Sequence, residues 1–173
     1  MSSHWEQLNT AKDFFQKSFP KAKPTTAVIL GSGLGSLAED YKALHTINFS
    51  DLPFMVSPSI EGHDGKITLA ELPNGQQVLF VKGRIHAYEG HDYHHVMFIV
   101  RWAHLIGCKT LVVTNAAGSV NLDFHPGDLV MITDHINISG RNPLVGSNIA
   151  TVGPRFPDMI VAYDVEYRQK LQK

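Results

Sequence analysis

Residues 25–36 read Thr25-Thr26-Ala27-Val28-Ile29-Leu30-Gly31-Ser32-Gly33-Leu34-Gly35-Ser36. The first half is a short, unbroken apolar run, which predicts a buried strand. Glycine then recurs at alternate positions, directly after the strand. Glycines let backbone N–H groups approach and wrap an anion, and Ser32 adds a hydroxyl donor. A strand that feeds such a loop is the opening unit of an α/β domain.

The flanking segments extend that pattern. Upstream, Ser3 and Glu6 fit a capping box before an amphipathic helix with Trp5, Leu8 and Phe15 on its buried stripe. Pro20 and Pro24 end it. Downstream, residues 67–72 and 77–82 are β-type runs joined through Pro73-Asn74-Gly75, and Asn-Gly is a strong hairpin signal. Asp92 predicts the cap of a helix over 94–106, with Val96, Ile99, Val100, Ala103 and Ile106 on its apolar stripe and Gly107 as its stop. Lys109–Thr114 reads as the next buried strand and Asp128–Thr133 as another. After a Gly/Pro/Asn-rich loop at 139–157, Ile160, Tyr163, Tyr167 and Leu171 predict a helix that starts near Asp158. The expected fold is α/β, with a mixed central β-sheet flanked by helices in a single domain over residues 1–173.

Three further segments bear on chemistry. Gly83-Arg84-Ile85-His86-Ala87-Tyr88-Glu89-Gly90 follows the apolar run Val78–Val81. A strand running into an extended loop puts Arg84, His86 and Tyr88 on one side: a fixed cation, an imidazole and a phenol. That set suits an anionic oxygen nucleophile and a sugar hydroxyl. The ordinary alternative is a strand end with a chance Arg/His/Tyr. Asn115-Ala116-Ala117-Gly118 ends a strand in small residues, where a ligand can lie against the backbone; tight packing is the competing explanation. Glu61-Gly62-His63-Asp64-Gly65 is a polar loop in which His63 is either a further anion contact or a solvated turn residue.

Other chemistries fit poorly. A dinucleotide fingerprint needs a third glycine where Ser36 stands, and the acidic residue at the right distance, Asp51, lies beside Pro53. No Gly-Lys-Ser/Thr follows the first loop, so it is not a Walker A motif. His91 and His95 are four residues apart, but His91 precedes the predicted cap, so no metal site is expected and the cluster reads as a solvated helix start. A net charge of −1 gives no case for nucleic acid or an anionic membrane as partner. The chain has one cysteine, Cys108, and Met1-Ser2-Ser3-His4-Trp5-Glu6 has no apolar signal-type stretch, which together fit a cytoplasmic protein.

Taken in order, Val28–Gly35, Gly62-His63, Gly83–Gly90, Val113–Gly118, Asp134-His135-Ile136-Asn137, Asn142-Pro143-Leu144 and Arg155-Phe156-Pro157 resemble the purine nucleoside phosphorylases of the trimeric, low-subunit-mass class. The related methylthioadenosine phosphorylases share the outline but match the wording of these segments less well. The resemblance implies phosphorolysis of purine nucleosides to free base and ribose 1-phosphate, in purine salvage. It implies a phosphate site at Ser32, His63, Arg84, His86 and the Ala116 backbone N–H, with His86 catalytic. Tyr88 would contact the ribose, and Phe156 the ribose pocket of a neighbouring subunit in a homotrimer. No cofactor is implied; phosphate is a co-substrate. The family's purine-reading residues would lie beyond residue 173, so the chain is read as lacking a C-terminal third and, alone, as having little phosphorolytic activity. The competing expectation is a non-catalytic phosphate-binding fragment. Ser119, Arg141 and the 147–153 loop depart from the usual family wording.

Overall fold

The computed structural model describes residues 3–58 and 65–172. The first helix, α1 (His4–Ser18), begins with the predicted capping box: Ser3 Oγ accepts from the Glu6 N–H at 3.3 Å, and the Ser3 N–H donates to Glu6 Oε2 at 2.7 Å. Leu8, Ala11 and Phe15 form its buried stripe, while Trp5 is half-buried. Next come β1 (Thr26–Leu30), β2 (Lys42–Asn48), β3 (Lys66–Glu71) and β4 (Gln77–Lys82). The β3–β4 hairpin turns where Asn-Gly predicts: Gly75 has φ 79°, and Asn74 Oδ1 accepts from the Gln76 N–H at 3.0 Å. Two helical pieces follow, α2 (Tyr93–Val96) and α3 (Phe98–Leu105), then β5 (Thr110–Val113).

The five strands form one mixed sheet in the order β2-β3-β4-β1-β5. β2, β3 and β4 pair antiparallel, whereas β1 pairs parallel with both β4 and β5. The pleat divides β4 between the two faces. Leu79 and Val81 join the main core with Leu8, Phe15, Phe98 and Trp102. Val78 and Phe80 join a smaller cluster with Leu30, Ala38 and Ala70. In the main core, the Phe15 and Trp102 rings meet edge-on at 5.3 Å and fasten α1 to α3.

Several expectations change. The helix over 94–106 is interrupted at Met97, although i→i+4 bonds still reach that residue from both sides, Met97 N–H to the Tyr93 carbonyl and Arg101 N–H to the Met97 carbonyl. β5 was expected to be buried, but it is the last strand of the sheet, and Val113 is 54% exposed. Residues 128–133 form no strand, because nothing among the described residues pairs with them. The last helix, α4 (Val165–Leu171), starts well after Asp158; Asp164 caps it by accepting from the Tyr167 N–H at 2.9 Å. β2 was not anticipated; only Ile47 of its seven residues is buried.

The chain divides into two compact units, one ending at Ala116 and the other starting at Ala117. The second contains α4 and loops tied by side-chain bonds. Arg155 Nη1 donates to the Leu144 carbonyl at 3.1 Å and the Gly146 carbonyl at 2.6 Å, and Tyr163 OH lies 2.8 Å from His135 Nδ1. Among the described residues no helix is long and apolar enough to cross a membrane.

Candidate active site

β4, β1 and β5 lie side by side and run parallel, so their C-terminal ends share one edge of the sheet. Each of these ends leads into one of the segments singled out above: 83–90 after β4, 31–36 after β1 and 114–118 after β5. Ligand sites in α/β sheets form at this edge, where free backbone donors collect. The segments are closely apposed. A Cβ built on Gly31 would stand 2.6 Å from the Thr114 carbonyl oxygen and 2.7 Å from Asn115 Cα. Only glycine allows that approach. Gly33 has φ 84°, a left-handed conformation that also favours glycine.

Arg84 reaches across to the same place. Its Nη1 donates to the Thr114 carbonyl at 3.0 Å, and its Nε donates to His86 Nε2 at 3.2 Å. A guanidinium carries five N–H donors, so these two bonds leave it with donor capacity. Since Arg84 Nε is always protonated, His86 Nε2 must be the acceptor and Nδ1 must carry the ring proton. Nδ1 lies 3.0 Å from Glu89 Oε1, which also accepts from the His86 backbone N–H at 2.9 Å. The Glu89 side chain is only 2% exposed, against 18% for His86. A nearly buried carboxylate thus orients an imidazole that a cation holds on its other side. The sequence reading gave Glu89 no role. The signal was present in the i, i+3 spacing from His86, which lets Glu89 fold back on the His86 N–H as in a capping box.

The extended-loop expectation holds for Arg84 and His86 but stops there. Ala87–Glu89 is a 3-10 turn, closed by Gly90 at φ 89°. The turn stacks Tyr88 on the His86 ring at 4.7 Å with planes 18° apart, and Tyr88 remains 75% exposed. Ser32 and Ala116 are both exposed at this edge of the sheet. His63 lies outside the described residues. Phe156 belongs to the second unit, where it is 87% exposed with Arg155 Cζ 6.0 Å from its ring centroid. Asp51, weighed as a ribose ligand of a dinucleotide fold, instead closes a local cap by accepting from the Asn48 side-chain amide at 2.8 Å. Among the described residues no group of three or more His, Cys, Asp or Glu side chains is placed to hold a metal ion.

This arrangement offers a cation, an oriented imidazole, a hydroxyl and a glycine-rich backbone at one sheet edge, which suits an oxyanion. Comparison with known proteins points the same way. The family model described as "Phosphorylase superfamily" matches residues 25–173. Purine nucleoside phosphorylase 1 of Geobacillus stearothermophilus is 44% identical over 162 residues, covering 94% of this chain and 58% of that protein. The purine nucleoside phosphorylase of Bos taurus is 44% identical over 156 residues, covering 88% of this chain and 54% of its own. Among solved structures, isoform 2 of the Schistosoma mansoni purine nucleoside phosphorylase, in complex with cytosine and ribose-1-phosphate, superposes with a TM-score of 0.87. It is 34% identical, and the match covers 96% of this chain and 59% of that one. The chain thus spans little more than half the length of these relatives.

Proposed function

We propose, given that this chain belongs to the phosphorylase superfamily, that the protein carrying it cleaves purine nucleosides with phosphate to release the base and ribose 1-phosphate. The observation that carries this reading is the convergence of three strand ends on Arg84 and the His86–Glu89 pair. Phosphate would be gripped by Arg84, the Ser32 hydroxyl, the Ala116 N–H and His63, and by His86 through Nε2 once that nitrogen carries a proton in place of its bond from Arg84. Charge-assisted bonds of this kind are short and strong. Breaking the glycosidic bond leaves positive charge on the ribose, and a phosphate dianion held against that face stabilises the cation and then bonds to it. The bonding electrons leave with the purine, which takes up a proton. Tyr88 would orient the sugar, and Phe156 would complete the ribose pocket of a neighbouring subunit, which makes the working form a homotrimer. That the similar Schistosoma mansoni enzyme was solved with ribose-1-phosphate supports the sugar-phosphate assignment.

No resident cofactor enters this scheme. A cytoplasmic location fits Cys108, a free and buried thiol that burial pushes up to about pKa 11 and so keeps from reacting. The test is release of hypoxanthine from inosine by the full-length protein. Release that rises with phosphate concentration and yields ribose 1-phosphate is expected. Release independent of phosphate would point to hydrolysis and overturn the reading.

A further inference from the structure

We propose that Thr114 is a positioning residue whose hydroxyl holds the glycine loop of β1 in register with Arg84, so that both arms of the anion cradle face one phosphate. The inference rests on the phosphorylase reading above. Three bonds carry it. The Gly31 N–H donates to Thr114 Oγ1 at 2.8 Å. That hydroxyl donates onward to the Ile29 carbonyl at 3.1 Å, so its proton and one lone pair are both committed. The Thr114 carbonyl accepts from Arg84 Nη1 at 3.0 Å. One residue therefore binds the loop through its side chain and the guanidinium through its backbone.

Ordinary strand pairing does not account for this. The β1–β5 ladder matches Ile29 with Val113, and the Thr114 N–H continues it by donating to the Ile29 carbonyl at 3.0 Å. Gly31 lies beyond the last paired residue, where β1 has already left the sheet for its loop. The Thr114 hydroxyl takes over from the ladder there and fixes where the loop departs. A side chain without the hydroxyl leaves the Gly31 N–H without this partner at a part-buried place, while the Ile29 carbonyl keeps the Thr114 N–H. The loop carrying Ser32 is then free to drift from Arg84. Because the Thr114 carbonyl is unchanged, Arg84 keeps its own tether.

The test compares Thr114→Val, which keeps the shape and removes the hydroxyl, with Thr114→Ser, which restores it, in the full-length enzyme. Binding of inorganic phosphate is measured by calorimetry, and KM is measured separately for phosphate and for inosine. Thr114→Val is expected to weaken phosphate about tenfold, the scale of one lost hydrogen bond with an unpaired donor, while the inosine KM moves less than about twofold. Thr114→Ser is expected to bring phosphate affinity back to near wild type. Equal losses for both substrates, or a serine variant as weak as valine, would overturn the proposal. If Thr114→Val does not fold, Thr114→Ala against Thr114→Ser decides by the same criterion. Failure of the wild type to bind phosphate would refute the phosphorylase reading itself; a wild type that binds phosphate beside a valine variant that binds it equally would refute only the role of Thr114.

Discussion

The two units of this chain are both rich in apolar residues and use them in opposite ways. In the first, β4 buries Val78, Leu79, Phe80 and Val81 one after another. In the second, Leu122, Leu129, Ile136 and Ile138 stand in water, Leu129 at 95% exposure. The difference is one of layers. A five-stranded sheet gives α1 and α3 a broad surface to cover, and its other face accepts Ala38 and Tyr41. The second unit has a single seven-residue helix and no strand among its described residues. Apolar sequence becomes a core only where a second layer exists to pack on it, and exposed apolar surface is what association covers.

The comparison can be broken by substitution, and the largest effect belongs to the first unit. Arg84→Ala should cut phosphate use about ten- to a hundredfold, since a charge-assisted contact is worth roughly 1.5–3 kcal/mol. The inosine KM should change far less. Steady-state kinetics with each substrate varied in turn is the check, and equal effects on both would remove Arg84 from the cradle.

Gly31→Ala comes next. The new methyl must push against the Thr114 carbonyl and Asn115 Cα, which are backbone and yield poorly. A cost of about 1–3 kcal/mol is expected from such overpacking. Chemical denaturation would report it, and an unchanged midpoint would mean that the strand ends are not so closely apposed.

A smaller and pH-dependent effect is expected where α1 meets α2 and α3. The His4 ring lies 4.8 Å from His94 and 6.0 Å from Phe98. Burial, then the charges of Arg101 and His94, push its pKa from 6.5 down to about 4. A histidine held neutral in the fold binds fewer protons than in the unfolded chain, so its contribution is present above pH 6.5 and is lost as pH falls toward about 4. Burial raises the pKa of the helix cap Asp92, but the N–H groups and imidazoles of His95 and His94 outweigh it and hold the carboxyl below 3.8, so its loss comes at lower pH. Urea midpoints at pH 7 and pH 5 should differ for the wild type and converge for His4→Gln. An unchanged difference in the variant would assign the pH effect to other groups.

The smallest effects sharpen the contrast. Leu129→Ala and Phe156→Ala in the second unit should leave unfolding free energy within about 0.5 kcal/mol, as is usual for exposed sites. Phe156→Ala should nevertheless lower nucleoside turnover if that ring completes a neighbour's pocket. Light scattering that finds only monomers of the full-length protein would remove the reason for that loss.

Features governed by near neighbours were legible in the sequence. Ser3 and Glu6 announced the start of α1, Asn74-Gly75 the hairpin turn, and Asp92 the cap of α2. Each rests on bonds between residues two or three apart, so the local wording contains both partners. The same holds for the alternate Arg84 and His86, which do touch. Glu89 was within reach of the same logic and was overlooked. β2 escaped because its residues are mostly exposed and lack the alternation that marks a half-buried strand.

What the chain determined by itself, then, was the set of elements and the chemistry at their ends: glycine loops after apolar strands, a cation beside an imidazole, and wording that resembles one family of phosphorylases. Which strands are neighbours was a tertiary matter. The placing of β1 between β4 and β5 brings Gly31, Arg84 and Thr114 together across 30 and 83 residues of chain. Burial was tertiary as well: Leu111, Val112 and Val113 read as core yet line the last strand of the sheet. Pairing and burial are decided by surfaces that arrive from distant parts of a chain, and no local window of sequence contains both sides of such a contact.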